Sequence, residues 1–471
     1  MELSRSGPVP ERIPEEKRLL LGSNSAKPRR SRWGPVRQLL VLSAVYMLGY
    51  SPLTALMNLE GILNPDIGLY ALLVHYGGAL VSFFTAPILA RIFGAKGSVL
   101  LGLFGQGLFI AVHFYVEVYL LLPVSFLVGI THAQMWISNG VYVTTLGLEY
   151  SEITGQPQDS VMGVFQGVFF SIFTTCGVWS NLVSSLVLIK PVDKTVNGST
   201  VVPQIGNLSD LCGPAFCPWE DTSGTYIEQP DQILVYIILG AFLGFILVAF
   251  TGCLLLLRNI HANKGDALNG AGDFCSAMIK LLWSGRMLLM IPVVAYISVE
   301  QELIQTEFTK AFVSCEIGIQ YNGWSMICYA SGQIIGSTVT GRLLKFTGWP
   351  IMYVFATAAN ASCLASMLLL DSSSKTMLFY FLVPFVWGLA DSVWLTQSSA
   401  VVGHFFPDQK WPVFVTIRSA IYAAMAVVFA YSNFVCMDAK IYIAFGGVLI
   451  ALVSFMSFTM VQRTKNKKEA Y

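Results

Sequence analysis

Two ionisable side chains sit where the chain is otherwise apolar enough to cross a membrane. His132 lies in GITHAQMWISNGVYVTTLG (129–147) and Asp391 in WGLADSVWLTQSSAVVG (387–403). At helical spacing His132, Trp136 and Asn139 share one face, and Asp391 shares another with Trp387, Trp394 and Ser398. Gln397 stands where Asn139 stands in the earlier stretch. An ionisable group inside a bilayer is costly unless it faces a bundle interior or a water-filled cavity. Two chemistries fit. One is a pocket for a proton-coupled solute, with Asp391 ionised and His132 as its partner or relay. The other is a buried hydrogen-bond network that locks helices together. Tyr46 and Tyr50 early in the chain, and Glu300 and Glu302 later, are the further candidates for the lining. Enzyme chemistry has little support: no G-x-x-x-x-G-K-[ST], H-E-x-x-H or G-x-S-x-G occurs. The five histidines lack metal-ligand spacing, so neither a metal nor a cofactor is expected.

The elements that must hold these residues are membrane helices. Of 471 residues 55% are hydrophobic and only 12% charged, and the net charge of +1 offers no field for nucleic acid. Mean hydropathy is +0.64. Apolar runs of about 20 residues recur along the chain and predict an all-α polytopic protein of twelve transmembrane helices. They lie near 37–57, 68–90, 98–115, 119–147, 161–189, 233–256, 286–306, 321–340, 350–371, 376–403, 412–434 and 440–461. Two six-helix bundles follow, 37–256 and 286–461, joined by a cytosolic linker at 257–285. A disordered cytosolic tail (1–36) and a short one (462–471) flank them.

Lys27, Arg29, Arg30, Arg32 and Arg37 before the first span, and Arg463, Lys465, Lys467 and Lys468 after the last, place both termini in the cytosol. The long loop 190–232 is then luminal or extracellular. It carries glycosylation acceptors at Asn197 and Asn207, together with Cys212 and Cys217. Most of the nine cysteines read as apolar filler in spans. Cys212, Cys217 and Cys315 fall on the oxidising side, and one bridge among them is expected, its pairing open. In the N-terminal tail, Glu15 followed by Leu19-Leu20 has the acidic dileucine spacing read by clathrin adaptors, which leaves the plasma membrane and the endolysosome as destinations. Arg418 reads as a snorkelling side chain, and Glu307 with Lys310 as a surface pair. Gly163/Gly167, Gly240/Gly244 and Gly332/Gly336 have the spacing that lets helices approach closely.

The halves repeat. PILARIFG (87–94) and GRLLKFTG (341–348) join the second to third and eighth to ninth spans at an offset of 254, pairing Arg91 with Lys345 and Gly94 with Gly348. Trp136 and Asn139 match Trp394 and Gln397 at an offset of 258. This parallel repeat resembles the major facilitator superfamily, whose loop reads G-x-L-x-D-x-x-G. Here a basic residue replaces the aspartate and Pro87 the first glycine, which argues against ordinary alternating access. VHYGGALVSFF, FQGVFFSIFTTCGVWSNLVSSLV, TEFTKAFVSCEIGIQYNGWSMICYA and the Asp391 stretch, with the CGPAFC pair, resemble the uncoordinated-ninety-three family, particularly its A-type branch, over residues 37 to 461. The resemblance implies a twelve-span facilitator-like fold that regulates potassium channels through contact with channel subunits in the bilayer. Another branch of the family escorts receptors to endolysosomes.

Overall fold

In lipid, a backbone meets its own N–H and C=O groups only in helices or closed barrels, and the regular structure among the described residues is all helical. The computed structural model describes residues 31–63, 67–188, 212–218, 232–260, 271–370, 375–407, 409–432 and 434–469. Its helices are α1 (Trp33–Leu63), α2 (Gly68–Val112), α3 (Val118–Thr154), α4 (Gln158–Phe173), α5 (Thr175–Leu188), α6 (Gln232–Leu256), α7 (Ala271–Leu282), α8 (Gly285–Glu302), α9 (Asn322–Thr347), α10 (Trp349–Leu369), α11 (Phe379–Phe405), α12 (Lys410–Ser432) and α13 (Met437–Glu469). Among the described residues ten segments are long and apolar enough to span a membrane. The α2 segment is two spans joined at a corner, and α9, more polar than the rest, completes twelve. In α4–α5 one span is broken beside Thr174, and α8 runs on through π-helical turns at Leu303–Glu307 and Thr309–Ile317. The first helix begins at Trp33 and the last reaches Glu469, so helix extends past both outer boundaries read from hydropathy.

The repeat is visible in the backbone. Gly94 turns the corner inside α2 at φ 64°, ψ −172°. Gly348 turns the corner between α9 and α10 at φ 71°, ψ 163°. A positive φ of this kind strains any residue with a Cβ, which is why both copies of the loop carry glycine. Arg91 and Lys345 are exposed beside these corners.

Glycines also set how closely the helices cross. A Cβ on Gly129 would lie 1.9 Å from the His75 carbonyl oxygen, and one on Gly78 would lie 2.2 Å from that of Phe126. In the second half, Gly388 faces the Tyr329 carbonyl and Gly332 that of Phe385, each at 2.2 Å. Residues 75 and 78 thus correspond to 329 and 332, a shift of 254, and residues 126 and 129 to 385 and 388, a shift of 259. The register read from the tryptophans, 258, is one residue short. The corrected register makes His132 and Asp391 equivalent positions.

Between the halves, α4 lies against α9 where Gly163 and Gly167 meet Gly341, the nearest backbone atoms 2.6 to 3.4 Å from the added Cβ positions. On the other side α12 packs on α2 and α3, with Tyr76 stacked on Phe429 at 5.1 Å and the Phe414 ring over Gly140. A Cβ added at Gly240 or Gly244 meets nothing within 4 Å, so among the described residues that spacing brings no helix close. At the face where α1 begins and α13 ends, Gln38 accepts from Arg258 N (2.7 Å), and the Arg258 guanidinium pairs with Glu149 at 2.6 Å. That carboxylate bond raises Arg258 above the usual guanidinium value.

The opposite face corrects two expectations. Two bridges form there: Cys212–Cys315, and Cys217–Cys436. Cys436, which the sequence reading did not count among the candidates, lies in the turn between the last two spans, in the gap that hydropathy leaves at 435–439. Met437 N donates to the Phe216 carbonyl at 2.8 Å, and Gly213 sits over the buried Glu316–Lys375 pair (2.7 Å). Glu307 is no surface residue: it is buried with Lys440 at 2.7 Å and accepts from Ser432, while Lys310 points outward. A carboxylate turned into a bundle needs a partner inside it, and α13 supplies one.

Candidate functional site

The first-half cluster is built on α3. Trp136 Nε1 donates to His132 Nε2 at 3.0 Å, one turn along the helix. With Nε2 occupied as acceptor, a neutral His132 carries its proton on Nδ1, which reaches His75 Nε2 at 2.9 Å. Tyr50 meets both the His132 and Trp136 rings at 5.3 Å, and Tyr46 donates to the Met135 carbonyl at 2.5 Å. Phe169, Phe170 and Phe173 from α4 close the group around Trp136. Asn139 is buried one turn further on.

Arg418 of α12 enters this cluster from the second half. It is buried, with its guanidinium carbon 4.5 Å from the Trp136 ring centroid and Tyr46, Tyr50 and Tyr422 nearby. The expected snorkelling does not occur, because the register of α12 turns this position toward the other half. A guanidinium stacks on an indole where it cannot reach water.

The second-half cluster is built on α11. Asp391 is fully buried and accepts from Tyr329 Oη (2.8 Å), Gln301 Nε2 (3.3 Å) and Gln333 Nε2. Its other neighbour is Glu300, in side-chain hydrogen-bond contact. Glu300 accepts from Asn360 Nδ2 at 2.8 Å, and the same amide donates to Tyr296 Oη at 2.9 Å. Trp394 is stacked edge-on between Tyr296 and Tyr353, at 5.0 and 5.2 Å. Gln397 donates to Thr340 Oγ1 at 3.5 Å.

The two clusters are equivalents. His75 bonds His132 in the first half, and Tyr329 bonds Asp391 in the second, each beside its double glycine crossing. Among the described residues no hydrogen bond joins them: those of His132 go to His75 and Trp136, and those of Asp391 stay within the last six spans. The expected His132–Asp391 partnership is therefore replaced by two separate networks. Tyr46 and Tyr50 belong to the first, Glu300 to the second, and Glu302 turns instead to Thr306. Sequence alone does not single out His75, Tyr329, Gln333 and Asn360 as site residues, and it reads Arg418 as a snorkelling side chain instead. His75 and Arg418 carried the same signal as His132, a titratable group within a span. Glu15, Leu19, Leu20, Asn197 and Asn207 lie outside the described residues. A cavity of about 660 Å³ opens where α7 meets the end of α11, lined by Lys280, Arg286 and Phe406 among others.

The family model described as ion channel regulatory protein UNC-93 matches residues 60–456. Protein unc-93 homolog A of Xenopus laevis is 29% identical over 445 residues, covering 92% of this chain and 95% of its own. The protein named for potassium channel regulation, unc-93 of Caenorhabditis elegans, is 23% identical over 94% of this chain and 63% of its own. Among solved structures, the E. coli fucose:proton symporter FucP superposes with a TM-score of 0.63 at 14% identity, over 91% of this chain and 99% of that one. The human organic anion transporter MFSD10 gives 0.59 at 13%, over 89% and 99%. These likenesses establish the major-facilitator fold.

Proposed function

Because this chain belongs to the UNC-93 family, we propose that it is a regulatory membrane protein that binds potassium-channel subunits through its helices. The observation that supports this reading is the filled interface between the halves. Trp136, Tyr46 and Tyr50 of the first half are packed against Arg418 of the second, where a solute carrier needs a site open to one side. The face with both chain ends is cytosolic in this reading, the loop 190–232 is luminal and glycosylated at Asn197 and Asn207, and Glu15, Leu19 and Leu20 recruit clathrin adaptors. Co-expression with a potassium channel, read by patch clamp and by co-purification from native membranes, tests it. Altered current with a stable complex is the expected result. Channel currents indifferent to the protein, with no channel subunit co-purifying, overturn it.

A second reading, proton-coupled transport of a small solute, draws on the contact between Glu300 and Asp391. Solute uptake by the reconstituted protein that follows a proton gradient and is lost in Asp391→Asn supports it. A gradient-independent background in a folded protein counts against it.

A further inference from the structure

The Glu300–Asp391 contact holds two acids and too few donors. Both side chains are fully buried. Asp391 takes three donors, from Tyr329, Gln301 and Gln333. Glu300 takes one, on Oε2, from Asn360. Its Oε1 has no donor, and neither has the neighbouring Asn360 Oδ1, although both atoms are shut away from solvent. An ionised carboxylate only accepts, so two such groups cannot bond each other without a proton between them. Nor, among the described residues, does a positive charge act on Glu300 to hold the two apart as ions. The titratable groups facing the pair are Tyr296 on the same helix and Tyr329 from α9, and Cys363 of α10 lies beside Tyr296. Lys440 is engaged by Glu307 and Lys375 by Glu316, while Arg418 lies among the tyrosines of the other cluster. Two unpaired negative charges in one dry site cost far more than one proton bound there.

We propose that Glu300 and Asp391 form a proton-binding site in the last six spans. Glu300 Oε1 carries the proton and donates it to Asp391, which remains anionic on its three donors. The site as a whole then holds one negative charge. Losing the proton leaves two, so release requires water or a cation to enter between α8, α10 and α11. Occupancy is thereby tied to how tightly these three helices close. The proposal does not depend on which of the two functional readings holds.

Infrared difference spectroscopy on the full-length protein in nanodiscs tests it through the C=O stretch of a protonated carboxyl. The expected wild-type spectrum at neutral pH has such a band, shifted in D2O and unchanged when sodium replaces choline in the buffer. Those two readings need no variant. Glu300→Gln, which keeps the volume and the Asn360 contact, is expected to lose the band, with the amide I band of the same sample reporting intact helices. Asp391→Asn is expected to move the band, since an amide replaces the carboxylate that accepts the proton. A wild-type spectrum without the band overturns the proposal, as does a band that survives Glu300→Gln. A band that vanishes on adding sodium also overturns it, because the site then holds a metal cation instead.

Discussion

Arg418 shows how one side chain can join two halves that exchange few charges. Its guanidinium carbon lies 4.5 Å from the Trp136 ring centroid, with Tyr422, Tyr50 and Tyr46 nearby. A cation–π contact of this kind, desolvated, is worth about 2 kcal/mol. Arg418→Gln is expected to lower stability by about that amount, read as a lower midpoint in thermal unfolding of the purified protein. Arg418→Lys is expected to recover only part of it, because an ammonium cannot stack on the indole. An unchanged midpoint in Arg418→Gln would show that the contact carries no weight. The same residue marks what a sequence conceals. Its depth, a few residues from the end of a span, was legible, but its direction was not, since direction depends on how α12 rotates against α3. His132 and Asp391 were legible for the opposite reason: a mid-span titratable group must turn inward wherever the helix packs. Which partner each finds depends on neighbours on α2 and α9, distant in sequence.

At the scale of elements, the paired glycine crossings give the fold its register. At Gly129 and Gly388 the facing carbonyl oxygen, a backbone atom in each case, stands 1.9 and 2.2 Å from where a Cβ would be. Backbone cannot rotate away, so Gly129→Ala and Gly388→Ala must push α3 from α2 and α11 from α9. Each is expected to cost about 1–3 kcal/mol or more, seen as loss of the monodisperse peak in size-exclusion chromatography. Gly240→Ala, with nothing within 4 Å, is expected to elute like the wild type. Equal behaviour of all three would break the argument from close approach. Twelve spans and a repeat could be read from hydropathy and from Gly94 with Gly348, because both signals are local. The offset between the α3 and α11 copies could not. The tryptophans suggested 258 because tryptophan is bulky and eye-catching, whereas the crossing is made by residues with no side chain at all.

At the scale of the whole molecule, the two halves are joined by more than the linker. Residues 212–217 stand between the fifth and sixth spans, hence in the first half, yet both of their cysteines bond the second half, at Cys315 and Cys436. Cys436 was invisible as a partner because a cysteine one or two residues past a hydropathy boundary reads as part of the span. The bridges close loops of 103 and 219 residues, so they tie distant parts of the chain at one face, while the linker ties them at the other. A protease site placed at 261–270 gives a direct test. After cleavage, the fragment ending in the linker retains Cys212 and Cys217, and the remainder holds Cys315 and Cys436. The cut protein is expected to run as one full-length species on a non-reducing gel and as two fragments after reduction. Cys217→Ser alone is expected to leave the fragments joined through Cys212–Cys315, and Cys212→Ser with Cys217→Ser to free them without reductant. Separation of the cut wild-type protein on the non-reducing gel would mean that the linker alone connects the halves covalently. The rocking that facilitator folds use would then be unrestrained at the disulfide face.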